Sequence, residues 1–259
     1  MSDATSGNGG PDPEPAPATG EPRASDLLGA ALGGAAKRAG LDPAQQGSTG
    51  RVVWSAMGGW RGVLESVLPS LTFILTYTLV PGDTREKLLP ALAVSVGIAA
   101  VFTIVRLIQK SPPSAAIGGL VAAGVAAGLA LITGNPSDNF VPGFITNAVY
   151  GTALLVSALV GWPIIGLAVG FLVGEGTRWR MDRRKRRAFF WLTIAWAALF
   201  AARLAVQFPI YLTSLDESQR DSAVALLGTL KLVMGIPLFA PLLAVTWLVV
   251  RALYPPAPK

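Results

Sequence analysis

The sequence predicts an all-α fold, a polytopic transmembrane helical bundle of six spans with one short half-helix after the fourth. Three observations predict it. Of 259 residues, 52% are hydrophobic and only 14% charged, too little polar surface to keep a soluble domain of this length in solution. The apolar residues come in runs of roughly 20, the length a helix needs to cross about 30 Å of hydrocarbon. One dense cationic stretch, Arg178 to Arg187, interrupts these runs and orients them.

Each span follows from an apolar run and its flanks. The first runs from about Gly62 to Val80 and is ended by the turn residues Pro81, Gly82 and Asp83. The second runs from about Leu88 to Ile108. The third, about Ala115 to Thr133, is bounded by Pro112-Pro113 and by Gly134-Asn135-Pro136. Its small residues Ala116, Ala123, Gly124, Ala127 and Gly128 predict burial among neighbouring helices. The fourth runs from about Phe140 to Val160, the fifth from about Ala188 to Leu212, and the sixth from about Ser222 to Leu253.

The piece from Pro163 to Val173 is roughly 17 Å long as a helix, too short to span. Pro163 suits a first helical turn, and Trp162 suits a membrane interface. Gly166, Gly170 and Gly174 fall four apart, a face that permits close approach of a neighbouring helix.

Residues 1–50 are expected to be a disordered cytoplasmic tail, 51–254 the transmembrane domain, and 255–259 a short cytoplasmic tail. The first stretch is rich in Pro, Gly, Ser, Asp and Glu and cannot bury enough apolar surface to offset its ordering entropy. Asp3, Asp12 and Glu14 stand where a signal peptide would be basic and then apolar. A weak Ala/Gly helix is expected around Asp26 to Gly40.

Lys and Arg are enriched in cytoplasmic loops. Arg178, Arg180, Arg183, Arg184, Lys185, Arg186 and Arg187 therefore place the loop before the fifth span at the inner leaflet, in contact with anionic lipid. With six spans, both termini are then cytoplasmic in a bacterial inner membrane. The outer turns are residues 81–87, 134–139 and 213–221, the last two carrying Asp138, Asp216, Glu217 and Asp221. All seven tryptophans fall toward the cytoplasmic side.

The chain has no Cys and no His, which excludes disulfides, thiolate metal sites, Cys nucleophiles, His-based triads and haem ligation. No acidic pair, HExxH, GxSxG or phosphate-loop motif lies in the spans. No catalytic residue, metal site or cofactor is expected. The net charge of +6 fits cytoplasmic loops facing anionic headgroups, and no nucleic-acid partner is expected.

Ionisable residues within spans are costly, at least about 2.5 kcal/mol at mid-bilayer, so each asks for a role. Glu65 is expected at headgroup level, paired with a basic neighbour such as Arg61. Arg203 and Lys231 fall at similar depth in the outer half, with Gln207 one turn beyond Arg203. Two readings stand. Either both cations snorkel outward to the acids of the outer turns, or they converge on an anion or lipid-phosphate site. Asn147 and Tyr150 of the fourth span could join either network.

The stretches GGWRGVLESVLPSLTFILTY, NAVYGTALLVSALVGWPIIG, RRAFFWLTIAWAALFAARLAVQFPIYL and LLGTLKLVMGIPLF resemble an actinobacterial membrane family known as domain of unknown function 3159. More distantly, Pro69, Ala153 to Ser157 with Pro163, Leu192 to Phe200, and Lys231 resemble the intracellular septation protein A family. That resemblance implies a non-enzymatic role in the cell envelope or in septation. The alternative is a small transporter or a lipid- or anion-binding protein using the Arg203, Gln207 and Lys231 face. Candidate partners are membrane lipids, envelope or division proteins, and a second copy of the chain.

Overall fold

The computed structural model describes residues 59–109 and 114–255. The expected N-terminal tail, its Ala/Gly helix and residues 256–259 lie outside the described residues. Every regular element among the described residues is helical. In chain order these are α1 (Gly59–Leu79), α2 (Thr84–Ile108), α3 (Ser114–Thr133), α4 (Val141–Leu159), α5 (Ile164–Leu172), α6 (Arg183–Thr213), α7 (Arg220–Val233) and α8 (Ile236–Leu253). Two short 3-10 turns, Pro136–Phe140 and Arg178–Met181, precede α4 and α6.

Among the described residues five helical stretches are long and apolar enough to cross a membrane: Gly59–Leu79, Thr84–Ile108, Pro136–Leu159, Arg183–Thr213 and Arg220–Leu253. Ile117–Thr133 is a shorter apolar helix. The outside of the bundle is apolar, with Val101, Ile104, Val121, Val149 and Leu159 each more than half exposed. A surface of this kind is stable against lipid tails rather than water.

Local chemistry sets the helix ends. Asp83 caps α2 through the backbone N–H groups of Arg85 and Glu86, and Glu86 answers with a capping box. Gly161 ends α4 with positive φ; its N–H donates to Ala158 O and that of Trp162 to Ser157 O. Gly174 ends α5 in the same way, with Gly174 N–H to Phe171 O and Glu175 N–H to Gly170 O. Both are Schellman motifs, in which glycine takes the left-handed position without a Cβ penalty.

Gly174 is therefore a terminator, not part of a packing stripe. The other two glycines cradle one side chain. A Cβ on Gly166 would lie 2.8 Å from the Trp179 ring, and one on Gly170 would lie 2.6 Å from it. Trp179 is fully buried there, edge-on to Phe189 at 5.2 Å between ring centroids.

The sixth expected span is not one helix. It breaks at Met234–Gly235 into α7 and α8. Gly235 leaves helical geometry at ψ −110°, and Pro237 has no N–H to continue the ladder to Val233.

The helix ends sort into two groups. Tyr77 and Lys87 both donate to Asp221, at 2.7 and 2.6 Å, and Tyr211 donates to Asp138 at 2.7 Å. These bonds bring all three expected outer turns to one acidic end, over a core of Phe73, Tyr77, Phe140, Phe144 and Val224. The opposite, arginine-rich end packs Val169, Trp179, Phe189 and Leu192 against Val250. Between them Leu154, Trp196 and Ala197 tie α4 and α6 to Phe239 and Leu242 of α8.

Candidate functional site

A cavity of about 690 Å³ runs between α1, α2 and α3 on one side and α4, α6 and α7 on the other. This is within the usual range for small-ligand pockets, about 300–1,000 Å³. Arg203, Gln207, Lys231, Asn147 and Tyr150 all line it.

At 1.5 Å per residue, Arg203 lies about 15 Å from the Thr213 end of α6, and Lys231 about 16 Å from the Arg220 end of α7. The two cations thus lie at similar distances from the acidic end, as the sequence predicts. Gln207 and Asn147 are buried, at 4% and 6% exposed. Among the described residues Gln207 Nε2 reaches only the Met234 sulfur, at 3.8 Å, a weak acceptor. The Tyr150 ring meets Phe200 edge-on at 5.7 Å.

The expected outward pairing of the two cations does not occur. The outer acids have other partners: Asp221 with Lys87 and Tyr77, Asp138 with Tyr211, Glu217 with Arg220, and Asp216 with Ser218. No carboxylate lies within ion-pair distance of Arg203 or Lys231 among the described residues. Arg203 Nε is buried with no hydrogen-bond partner, and Lys231 Nζ sits 5.5 Å above the Phe140 ring. Lys231 lies in the last turn of α7, where the helix dipole favours a cation by about 0.3–1 kcal/mol. That is too little to offset an unpaired charge at this depth.

Glu65 lines the same cavity at its arginine-rich end, but its partner is not Arg61. Arg106 of α2 donates to it through Nε at 2.7 Å. Arg61 is exposed. The sequence reading also passed over a run of hydroxyls on the cavity wall: Ser66 and Ser70 on α1, Ser95 and Thr103 on α2. Their four- and eight-residue spacings in otherwise apolar helices are the signal that would have found them. Ser95 Oγ donates to Pro69 O at 2.7 Å and fastens α2 to α1.

The seven cations expected at the inner leaflet divide. Arg183, Arg184, Arg186 and Arg187 line a groove of about 1,070 Å³ beside Gly161, Pro163 and Trp191, with no carboxylate partner among the described residues. Lys185 turns inward instead, 2.8 Å from Glu175 and over the Tyr254 ring. Arg180 stacks on Trp162 at 3.7 Å, and Arg178 is exposed on the 3-10 turn. Burial pushes the Glu175 carboxyl up, but hydrogen bonds from Lys185 and Tyr254 outweigh it and hold Glu175 below its ordinary value. Tyr254 is held above its ordinary value, first by burial and then by its bond to Glu175.

Among the described residues no group of three or more His, Cys, Asp or Glu side chains could hold a metal ion. Residues 57–257 match the family described as protein of unknown function (DUF3159). The chain belongs to the DUF3159 family. The match covers α1 to α8 and therefore the whole cavity wall. No curated protein and no solved structure matches the chain.

Proposed function

We propose that this is a non-enzymatic, multi-pass protein of the bacterial cytoplasmic membrane that binds a phosphate-type anion in its central cavity. One observation carries the reading: Arg203 and Lys231, on different helices, line one cavity with no acid against either among the described residues. Two uncompensated cations in a low-dielectric interior repel each other, and a bound anion offsets that cost. Gln207, Asn147 and Tyr150 supply neutral hydrogen-bonding groups around it.

The topology in this reading has six spans. α3, at 20 residues, is about 30 Å long and counts as the sixth beside the five stretches above. α7 and α8 together form one broken span, as in proteins where irregular backbone borders a cavity. α5 is a half-helix at the cytoplasmic side. The arginine-rich end faces the cytoplasm by the positive-inside rule, and both termini lie there.

The test is a double-mutant cycle of Arg203→Met and Lys231→Met, read as melting temperature with and without inorganic phosphate. Saturating phosphate at about 100 times its Kd should stabilise the unmodified protein by about 2.7 kcal/mol. Each single substitution should lose most of that gain, and the two should be strongly non-additive without phosphate. Additive effects with no anion dependence would overturn the reading.

A second reading is a cell-envelope, septation-related role through protein partners. It is favoured by the four groove arginines, which have no acid partner among the described residues, and by Met181, 90% exposed beside them. Replacing Arg183, Arg184, Arg186 and Arg187 with Gln should abolish crosslinking to a partner under this reading, and crosslinking to anionic lipid if the inner leaflet is what they meet.

A further inference from the structure

The cavity is not sealed on all sides. Its wall includes Gly119 and Ala122 of α3 and Gly143, Thr146 and Tyr150 of α4, and all five are exposed. They alternate along α3 and α4 with Val121, Ile145 and Val149, which are exposed and do not line the cavity, so the cavity reaches the bundle surface here. The mouth is therefore a slot between α3 and α4.

Three features define the slot. Near their connecting turn the two helices share a buried cluster, in which Ala127 and Ala130 pack with Phe140 and Phe144. Burial along α3 falls away from that turn, from Ala126, Ala127 and Ala130 to the exposed Gly118, Gly119 and Val121. A Cβ added at Gly119 or at Gly143 would meet no atom within 4 Å, so the space is open. Finally, the mouth is flanked by Val121 and Val125 on α3 and Ile145 and Val149 on α4, each more than half exposed. These side chains belong to the apolar belt that faces lipid tails. The slot thus opens sideways into hydrocarbon and not toward water.

A free hydrated anion does not approach through hydrocarbon. A lipid does, because its tail is already there. At the arginine-rich end the cavity wall carries the Glu65–Arg106 ion pair, a polar route by which a free phosphate enters without using the slot.

We propose that the anion is the phosphate of a membrane lipid, held between Arg203 and Lys231 while the hydrocarbon tail leaves through the α3–α4 slot. This rests on the anion-binding reading above and adds the ligand class and its route of entry. The phosphate meets the guanidinium and the ammonium, Gln207 and Asn147 meet its ester or headgroup oxygens, and the tail lies along Gly119, Ala122 and Gly143. Small residues on both walls are what such a tail requires, since any large side chain there would occupy its place.

The experiment uses the full chain in nanodiscs of zwitterionic lipid. Two probes are compared, inorganic phosphate and phosphatidic acid, with melting temperature and native mass spectrometry as readouts. Gly143→Phe and, on the opposite wall, Gly119→Phe each put a ring into open space, so folding should survive and either variant serves if the other fails. The expected result is that phosphatidic acid binds about tenfold or more weakly to the slot variants while inorganic phosphate is unaffected. Arg203→Met should weaken both probes. If phosphatidic acid binds the slot variants as well as the unmodified protein, or if only inorganic phosphate binds, the lipid assignment is overturned and the anion reading stands. If neither probe binds the unmodified protein, the anion reading itself falls.

Discussion

Gly170→Ala is a sharp test of the packing at the arginine-rich end. The new Cβ would run into the backbone carbonyl of Gly176 and lie 2.6 Å from Trp179 Cδ1 and 2.8 Å from Trp179 Nε1. None of these atoms is the free end of a flexible chain. Trp179 is 0% exposed and held edge-on by Phe189, and the Gly176 carbonyl is backbone. Overpacking of this kind costs about 1–3 kcal/mol, and a site with no compliant neighbour belongs at the upper end. Alanine recovers up to about 1 kcal/mol of helix propensity over glycine. The net loss is about 2 kcal/mol. For a folded unit of this size that lowers the melting temperature by about 4–8 °C.

Gly128→Ala on α3 is the matched control, because its Cβ meets nothing within 4 Å. There only the propensity gain remains, and the melting temperature should rise by about 2–4 °C. Thermal unfolding in detergent, followed by tryptophan fluorescence, reads both. Equal shifts of the same sign at Gly170 and Gly128 would refute the cradle around Trp179.

Three further outcomes are expected. Glu175 is held below its ordinary value, so its contribution to stability is full above about pH 4.3 and is lost as pH falls through its lowered folded value; Glu175→Gln should flatten this part of the melting profile, and an unchanged acid limb would disprove the clasp with Lys185 and Tyr254. A double-mutant cycle on Glu65→Gln and Arg106→Met should show coupling of about 1–3 kcal/mol, with Arg61→Ala neutral, and coupling near zero would dissolve the pair. For topology, Ser218→Cys should be labelled by an impermeant reagent from outside and Thr177→Cys should not, since both positions are exposed; Ser137 is fully buried and is a poor labelling site despite its place in an outer turn.

The amino-acid pattern alone was enough for helix class, the approximate limits of the helices, and the grouping of basic and acidic turns at opposite ends. These properties are local: a run of apolar residues must be helical in lipid whatever it packs against, and turn residues end it wherever it sits. α5 was legible for the same reason, as a run too short to span between Pro163 and Val173. Arg203 and Lys231 were visible as costly charges at matching depth, because rise per residue is a local quantity too.

What those charges face was not legible. Helical rotation and neighbour choice depend on the whole bundle, so Glu65 found Arg106 across an interface and not Arg61 one turn away. The outer acids were equally open from sequence, and only folding gave them to Tyr77, Lys87 and Tyr211 and left Arg203 and Lys231 with a shared cavity. The break at Met234–Gly235 was hidden because apolarity continues through it, while Gly and Pro are tolerated inside spans whenever neighbours accept the bend. The glycines of α5 carried the same ambiguity, since spacing cannot tell a helix-packing face from a cradle for one tryptophan ring that arrives from a later turn.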